Sequence, residues 1–214
     1  KSKHIVSYGD ACTFSMHPLK NLNVWGDGGF IITNNKKLAD RLFLIRNHGL
    51  RDRNTCMEFA YNSRLDTIQA AILLAKWPNF DNEVKLRGKI GCAYTKKLLK
   101  AGFTSTPNVL IGNTSVYSQY TVEVDHREYL QSQLNEKAIP TAVHYPTLLC
   151  DQPAFVNANN SNNDNNNLKV AKRARKRVLS LPMHPWLSDS DQDLIVKELA
   201  AANHGNKTRE GLQN

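Results

Sequence analysis

The stretch TFSMHPLKNLNVWGDGGFIITNN, residues 13–35, carries the decisive pattern of this chain. One lysine, Lys20, lies between a Ser-Met-His-Pro turn and the pair Gly28-Gly29, and a strand-like run follows directly. A lysine amine performs covalent chemistry when it condenses with a carbonyl, and a nearby hydroxyl such as that of Ser15 can donate to a phosphate. The ordinary alternative is a lysine that is simply solvated in a loop. Spacing alone leaves both interpretations open.

Regular secondary structure surrounds this stretch in the first eighty residues. Residues 28–33 predict a short buried strand. Residues 36–48 carry leucines and isoleucine at helical spacing, and Gly49 suits the end of that helix. Residues 67–77 are so apolar that they predict a buried helix, which Pro78 should end.

Helices and strands also alternate in the rest of the chain, which predicts an α/β fold. The pattern predicts helices over 81–100, 127–137 and from Ser188 to about 201, with strands over 115–124 and 142–145. We therefore expect one domain over residues 1–80, a smaller one over 81–201, and a frayed tail over 202–214. The Asn-rich run at 157–167 should form a mobile loop, because it has too few apolar residues to offset the entropy of ordering.

Composition limits the classes of partner. The net charge of +9 raises the possibility of a nucleic-acid partner, but much of the excess lies in residues 169–177, KVAKRARKR, which are interpreted as one solvated helix face. No aromatic residue alternates with these charges, which argues against single-strand binding. No apolar run is long enough for a membrane span, and no signal peptide is visible. The scattered cysteines form no CxxC pair, which argues against zinc and favours reduced thiols in the cytoplasm.

The stretch around Lys20 resembles the lysine segment of the DegT/DnrJ/EryC1/StrS family. Members are pyridoxal-phosphate (PLP) aminotransferases of keto-sugars with the fold-type I, aspartate-aminotransferase-like architecture. The family pattern S-F-H-x-x-K-N-L, then G-x-G-G, is matched here, with Met16 in the place of Phe. The resemblance implies that Lys20 is the catalytic lysine that holds the cofactor covalently, and that Ser15 binds its phosphate. His17 is interpreted as capping its own turn.

Further blocks follow in the family's order. Residues 60–73, AYNSRLDTIQAAIL, resemble the family's G-x-N-x-R-x-x-x-x-Q-A-A block. This implies that Asn62 reaches the cofactor phosphate of the partner subunit in a homodimer and that Arg64 lies beside it at the substrate. Residues 141–146, TAVHYP, resemble the family's H-Y-P, which implies that His144 contacts the sugar. Two more blocks also match, RNHGL at residues 46–50 and LSLPMHPWLSD at residues 179–189.

The chain also departs from the family. Cys150 stands where a histidine is frequent near the substrate, which leaves the substrate open. Members are nearly twice as long, with the lysine near mid-chain rather than at residue 20. The resemblance therefore implies the C-terminal part of the enzyme: the end of the large PLP-binding domain and the small domain. The family's pyridine-binding Asp and its stacking ring would lie upstream.

Two functions follow as expectations. The first is transfer of an amino group, with L-glutamate as the expected donor, to a keto-sugar in lipopolysaccharide or nucleotide-sugar synthesis. The wording SMHPLKNLNVWGDGG is especially similar to the 8-amino-3,8-dideoxy-octulosonate aminotransferases. The alternative is a non-catalytic remnant or interaction module whose basic helix, residues 169–177, binds an anionic partner.

Overall fold

The computed structural model describes residues 4–156 and 168–211. The chain divides into two compact units, residues 1–83 and 84–214. The assignment of the two parts to a cofactor-binding domain and a small domain stays a prediction. The Asn-rich segment at 157–167 lies outside the described residues, and so does its predicted mobility.

The first unit is built on a two-stranded antiparallel hairpin. Strand β1 pairs with strand β2 in a register that places Ala11 opposite Thr33 and Ser15 opposite Gly29. Helix α1 follows, and the Asn35 side chain accepts a hydrogen bond from the Leu38 amide at its start. A second small hairpin and the first part of a long helix complete the unit. The elements are β1 (Ala11–Ser15), β2 (Gly29–Thr33), α1 (Lys36–Ile45), β3 (Leu50–Asp52), β4 (Thr55–Cys56) and α2 (Thr67–Lys100).

Two apolar segments of this unit are not buried, contrary to the sequence prediction. Strand β2 has no buried residue, and neither has α2 before residue 90. Strand β2 pairs with β1 alone among the described strands, and its residues Phe30, Ile31 and Ile32 are 37–47% exposed. Apolar composition predicts burial only where other elements supply a cover. The large apolar residues exposed in the helical part are Ile68, Leu74 and Trp77.

The prediction that a helix ends at Pro78 is also wrong. Helix α2 runs without interruption from Thr67 to Lys100 and contains Pro78. A proline inside a helix removes one N–H donor and leaves the carbonyl four residues earlier without its partner. That carbonyl belongs to Leu74, a residue that is 72% exposed.

The second unit packs helices against another antiparallel strand pair. Strands β5 and β6 pair from Tyr120 opposite Leu181 to Glu123 opposite Val178, and helices α3 and α6 pack together. The Ser188 hydroxyl accepts from the Asp191 amide, which confirms the predicted cap of α6. The elements are β5 (Tyr120–Glu123), α3 (Arg127–Glu136), α4 (Pro153–Val156), α5 (Lys169–Arg177), β6 (Val178–Leu181) and α6 (Asp189–Gly211).

Three boundaries in this unit differ from the sequence prediction. The strand predicted over 115–124 is shortened, because Tyr117 has a φ of 38°, which interrupts an extended backbone. The strand predicted over 142–145 is reduced to a single bridge between Ala142 and Ser180. Helix α6 continues to Gly211, past the predicted end near residue 201. Gly205 costs helix stability without ending the helix.

The core of the second unit contains a cluster of tyrosines. Tyr94 and Tyr120 are fully buried with ring centroids 4.9 Å apart. The Tyr94 hydroxyl donates to the Pro182 carbonyl at 3.0 Å, and the Tyr120 hydroxyl lies 2.7 Å from that of Thr95. Burial raises the pKa of Tyr120 to about 12, and it raises the pKa of Tyr94 as well.

We expect stability to fall with rising pH once the tyrosines of the unfolded chain begin to ionise, near pH 10. Tyr120 stays protonated in the folded state up to about pH 12. Between about pH 10 and pH 12 the unfolded state therefore binds fewer protons than the folded state, so rising pH favours unfolding. The slope approaches about 1.4 kcal/mol per pH unit for each such group. Urea unfolding at several pH values measures it. Tyr120→Phe should flatten the slope, whereas Tyr61→Phe, at an exposed tyrosine, should not; equal slopes would contradict the assignment.

Among the described residues, no helix combines the length and apolar character that crossing a bilayer requires. Within the same part of the chain, no three His, Cys, Asp or Glu side chains gather as metal ligands would.

Candidate functional site

The hairpin β1–β2 frames the segment that carries Lys20. Gly29 lies opposite Ser15, where β1 ends and β2 begins. A Cβ at Gly29 would lie 2.6 Å from the Phe14 carbonyl oxygen, so any side chain here would push the strands apart. The Phe14 and Phe30 rings stack with centroids 4.7 Å apart and reinforce the same register.

The loop between these strands, residues 16–28, is closed on itself. The Met16 amide donates to the Gly28 carbonyl at 2.7 Å, and the Val24 amide donates to the Met16 carbonyl at 3.1 Å. The Met16 and Val24 side chains are almost fully buried. A Cβ at Gly28 would lie 2.8 Å from the Val24 side chain, so this close packing requires glycine. The loop therefore has its own small apolar centre.

Lys20 projects from a tight turn at the outer part of this loop. Its amide donates to the His17 carbonyl at 2.8 Å. The Ser15 hydroxyl accepts from the His17 amide at 3.3 Å, and His17 Nδ1 accepts from the Leu19 amide at 3.2 Å. The predicted capping role of His17 is thus confirmed. Lys20 is exposed, and within residues 4–156 and 168–211 its ammonium makes no hydrogen bond or ion pair.

Helix α2 supports the loop through residues that the sequence analysis did not single out. Lys76 Nζ donates to both oxygens of Asn23, and Asn23 Nδ2 donates to the main-chain carbonyl of Lys20. Gln69 Nε2 donates to the Asp27 carbonyl at 2.7 Å. The sequence feature that could have indicated this support is Lys76, which is the only charged residue in the apolar run 67–77.

Asn62 and Arg64 lie on a second segment of the same unit, against the turn after α1. Asn62 forms a bridge with Asn47, and Arg64 Nη1 donates to Asn47 Oδ1 at 2.9 Å. The Ser63 amide donates to the Arg46 carbonyl at 2.9 Å, which fixes the segment between them. Both Asn62 and Arg64 are exposed. Their predicted roles toward cofactor and substrate stay predictions.

His144 belongs to the second unit, whereas Lys20, Ser15, Asn62 and Arg64 belong to the first. It is half-buried, and its ring meets the Tyr145 ring edge-on with centroids 5.3 Å apart. Its predicted contact with the sugar stays a prediction.

The basic helix α5 is partly neutralised by acidic neighbours. Arg175 pairs with Asp151, and Arg177 pairs with both Asp125 and Glu123. These ion pairs neutralise part of the positive charge that the sequence analysis interpreted as one solvated helix face. The structure thus weakens the interpretation of this helix as an anion-binding surface.

Comparison with known proteins agrees with this geometry. The model of the DegT/DnrJ/EryC1/StrS aminotransferase family matches residues 1–200. A UDP-2-acetamido-2-deoxy-3-oxo-D-glucuronate aminotransferase from Pseudomonas aeruginosa is 42% identical over 189 residues, which are 88% of this chain and 50% of the relative. The pleiotropic regulatory protein of Geobacillus stearothermophilus is 39% identical over 200 residues, covering 92% of this chain and 53% of that protein. The chain thus spans about half the length of the curated relatives it matches.

Solved structures of related proteins also match this chain over about half of their length. A DegT DnrJ EryC1 StrS aminotransferase from Brucella abortus superposes with a TM-score of 0.79 at 32% identity, over 91% of this chain and 51% of that one. NtdA from Bacillus subtilis, whose crystal structure holds the cofactor PMP, superposes with a TM-score of 0.82 at 26% identity, over 94% and 47%. The predicted fold class is confirmed: the chain folds as about half of such an aminotransferase.

Proposed function

The chain belongs to the DegT/DnrJ/EryC1/StrS aminotransferase family, and from this we propose that its protein transfers an amino group to a keto-sugar with PLP as cofactor. The observation that carries the proposal is the Lys20 loop. It presents a primary amine, without a partner among the described residues, from a closed turn. The sequence of that turn is the family's lysine segment.

The residues present fit the cofactor's two attachment points. An amine condenses with an aldehyde through its nitrogen lone pair, and the Lys20 side chain is exposed and held by no hydrogen bond or ion pair within the described part of the chain, so it is free to reach one. The Ser15 hydroxyl accepts a hydrogen bond from the His17 amide, which leaves its own proton available for a phosphate oxygen. Asn62 is exposed and can serve a phosphate across a homodimer interface, as the family pattern implies.

Each residue then has a defined task. Bound PLP supplies a ring that withdraws electrons from the carbon next to the transferred nitrogen. Lys20 Nζ would hold the cofactor covalently and, once the substrate amine has replaced it, would carry the proton away from that carbon. Ser15 and Asn62 bind the phosphate and orient the ring. Arg64 and His144 bind the sugar or its phosphate.

We propose a nucleotide-linked keto-sugar as acceptor and L-glutamate as donor, in a cytoplasmic homodimer with a shared active site. The names of three relatives support the acceptor: they are aminotransferases or transaminases of UDP-linked or dTDP-linked sugars. The likeness to octulosonate aminotransferases supplies a second acceptor to test, which would place the protein in lipopolysaccharide synthesis.

The test is an isotope transfer assay on the native protein that carries this sequence. With PLP and ¹⁵N-labelled L-glutamate, we expect mass spectrometry to find the heavy nitrogen in an amino sugar made from a UDP-linked 3-keto-sugar. Parallel reactions contain a dTDP-linked keto-sugar or an 8-oxo-3,8-dideoxy-octulosonate. If Lys20 binds PLP but no keto-sugar acquires nitrogen, the proposed reaction is wrong.

A further inference from the structure

A chain of hydrogen bonds joins helix α2 to the main chain of Lys20. Lys76 Nζ donates to Asn23 Oδ1 at 2.7 Å and to the Asn23 carbonyl at 3.1 Å. Asn23 Nδ2 then donates to the Lys20 carbonyl at 3.0 Å. We propose that Lys76 and Asn23 are positioning residues that fix the main chain of Lys20 against helix α2. The inference rests on the proposed function of Lys20 as the cofactor-binding amine.

The burial pattern of the helix supports a specific role for Lys76. Lys76 is half-buried, whereas the apolar neighbours Leu74 and Trp77 are 72% and 59% exposed. A lysine that served only to solvate the helix would direct its ammonium to water. Here the ammonium instead donates to two oxygens of one residue, in part-buried hydrogen bonds.

A second contact holds the other limb of the loop. Gln69 Nε2 donates to the Asp27 carbonyl at 2.7 Å. Gln69 and Lys76 are seven positions apart, so they lie on one face of the helix, two turns from each other. Residue 28 approaches the same region, since a Cβ at Gly28 would lie 3.1 Å from Leu65, just before the helix. Helix α2 thus holds both limbs of the loop that carries Lys20.

Positioning matters because the lysine amine sits at the end of a flexible four-carbon stem. A reacting group contributes fully only when its supports hold it within about 0.5 Å of the productive geometry. Fixing the carbonyl of Lys20 removes the motion of the main chain and leaves only the side-chain torsions to be restricted by the cofactor.

Four variants test separately the hydrogen bonds that join helix α2 to Lys20. Lys76→Met keeps a long, unbranched side chain but removes the hydrogen-bond donor. Lys76→Arg restores a donor that can reach two oxygens. Asn23→Asp keeps the acceptor for Lys76 but loses the bond to the Lys20 carbonyl. Lys85→Met is the matched control, because Lys85 is an exposed lysine of the same helix that belongs to the second unit, whereas the loop belongs to the first.

The first measurement is hydrogen exchange of the Lys20 and Val24 amides, which bond to His17 and Met16 in the closed loop. We expect Lys76→Met to accelerate this exchange about ten- to a hundredfold, because it removes a charge-assisted bond, and Asn23→Asp to accelerate it about two- to tenfold, because it removes a neutral one. Lys76→Arg should restore most of the protection, and Lys85→Met should leave it unchanged. Unchanged exchange in Lys76→Met and Asn23→Asp would overturn the inference.

The second measurement is the rate of borohydride-trapped PLP labelling at Lys20, with thermal unfolding as a check on overall folding. We expect slower labelling in Lys76→Met and Asn23→Asp, and rescue by Lys76→Arg, at an unchanged unfolding midpoint. Equal labelling rates in all variants would overturn the positioning role alone. Absent labelling of the unaltered protein would overturn the proposed function, and this inference with it.

Discussion

Replacing Lys20 by alanine is expected to abolish the stable PLP adduct of the native protein. Amino transfer should fall by about 10²–10⁴-fold, the contribution of a positioned proton-transfer group. The physical reason is that, in the proposed function, Lys20 supplies both the covalent attachment and the proton carrier, and its amine makes no hydrogen bond or ion pair among the described residues. The measurement is incubation with PLP, reduction with borohydride, and mass mapping of the labelled peptide.

Two controls make the result specific. Lys37→Ala removes an exposed lysine of α1 in the same unit and should leave the adduct intact. Lys20→Arg keeps the positive charge and the length of the side chain but replaces the amine by a guanidinium, so it should fail like alanine. Diffuse labelling of many lysines, unchanged by Lys20→Ala, would contradict the assignment of Lys20.

The Lys20 loop was the part of the site most accessible from sequence. Its glycines, its turn and its strand are contiguous, and the structure explains each of them locally, as with Gly29 against the Phe14 carbonyl. The support from Lys76 was not accessible in this way. It joins positions 53 apart, and nothing in the sequence between them specifies which face of the helix meets the loop.

The two wrong predictions of burial have a common physical origin. Hydrophobic patterns report the burial that a segment has when every neighbouring element is in place. Strand β2 and the start of α2 carry such patterns but are exposed, in a chain that spans about half the length of its relatives. The strand over 115–124 failed for a local reason, since no pattern of apolar residues announces the left-handed backbone at Tyr117.

Gly49→Ala is expected to destabilise the first unit more strongly than the same change at a glycine that has open space around it. Gly49 ends the turn after α1, its amide donates to the Leu44 carbonyl, and its φ is 72°. A left-handed residue other than glycine costs roughly 1–3 kcal/mol. In addition, a Cβ at this position would lie 1.8 Å from the Glu58 carbonyl oxygen, which is main chain and cannot rotate away. Overpacking of this kind costs roughly 1–3 kcal/mol more.

Gly102→Ala provides the matched control for this substitution. Gly102 also follows a helix and has a φ of 85°, but a Cβ there would meet no atom within 4 Å. Gly102→Ala should therefore carry only the cost of the left-handed backbone. The difference in lost unfolding free energy between the two variants then measures the contact with Glu58. Urea unfolding followed by circular dichroism measures both free energies. Glu58 also pairs with Arg41, so displacement of its main chain should break that ion pair and loosen the turn that holds Asn47 and Arg64. Equal destabilisation by the two substitutions would show that the approach of Gly49 to Glu58 adds nothing to stability.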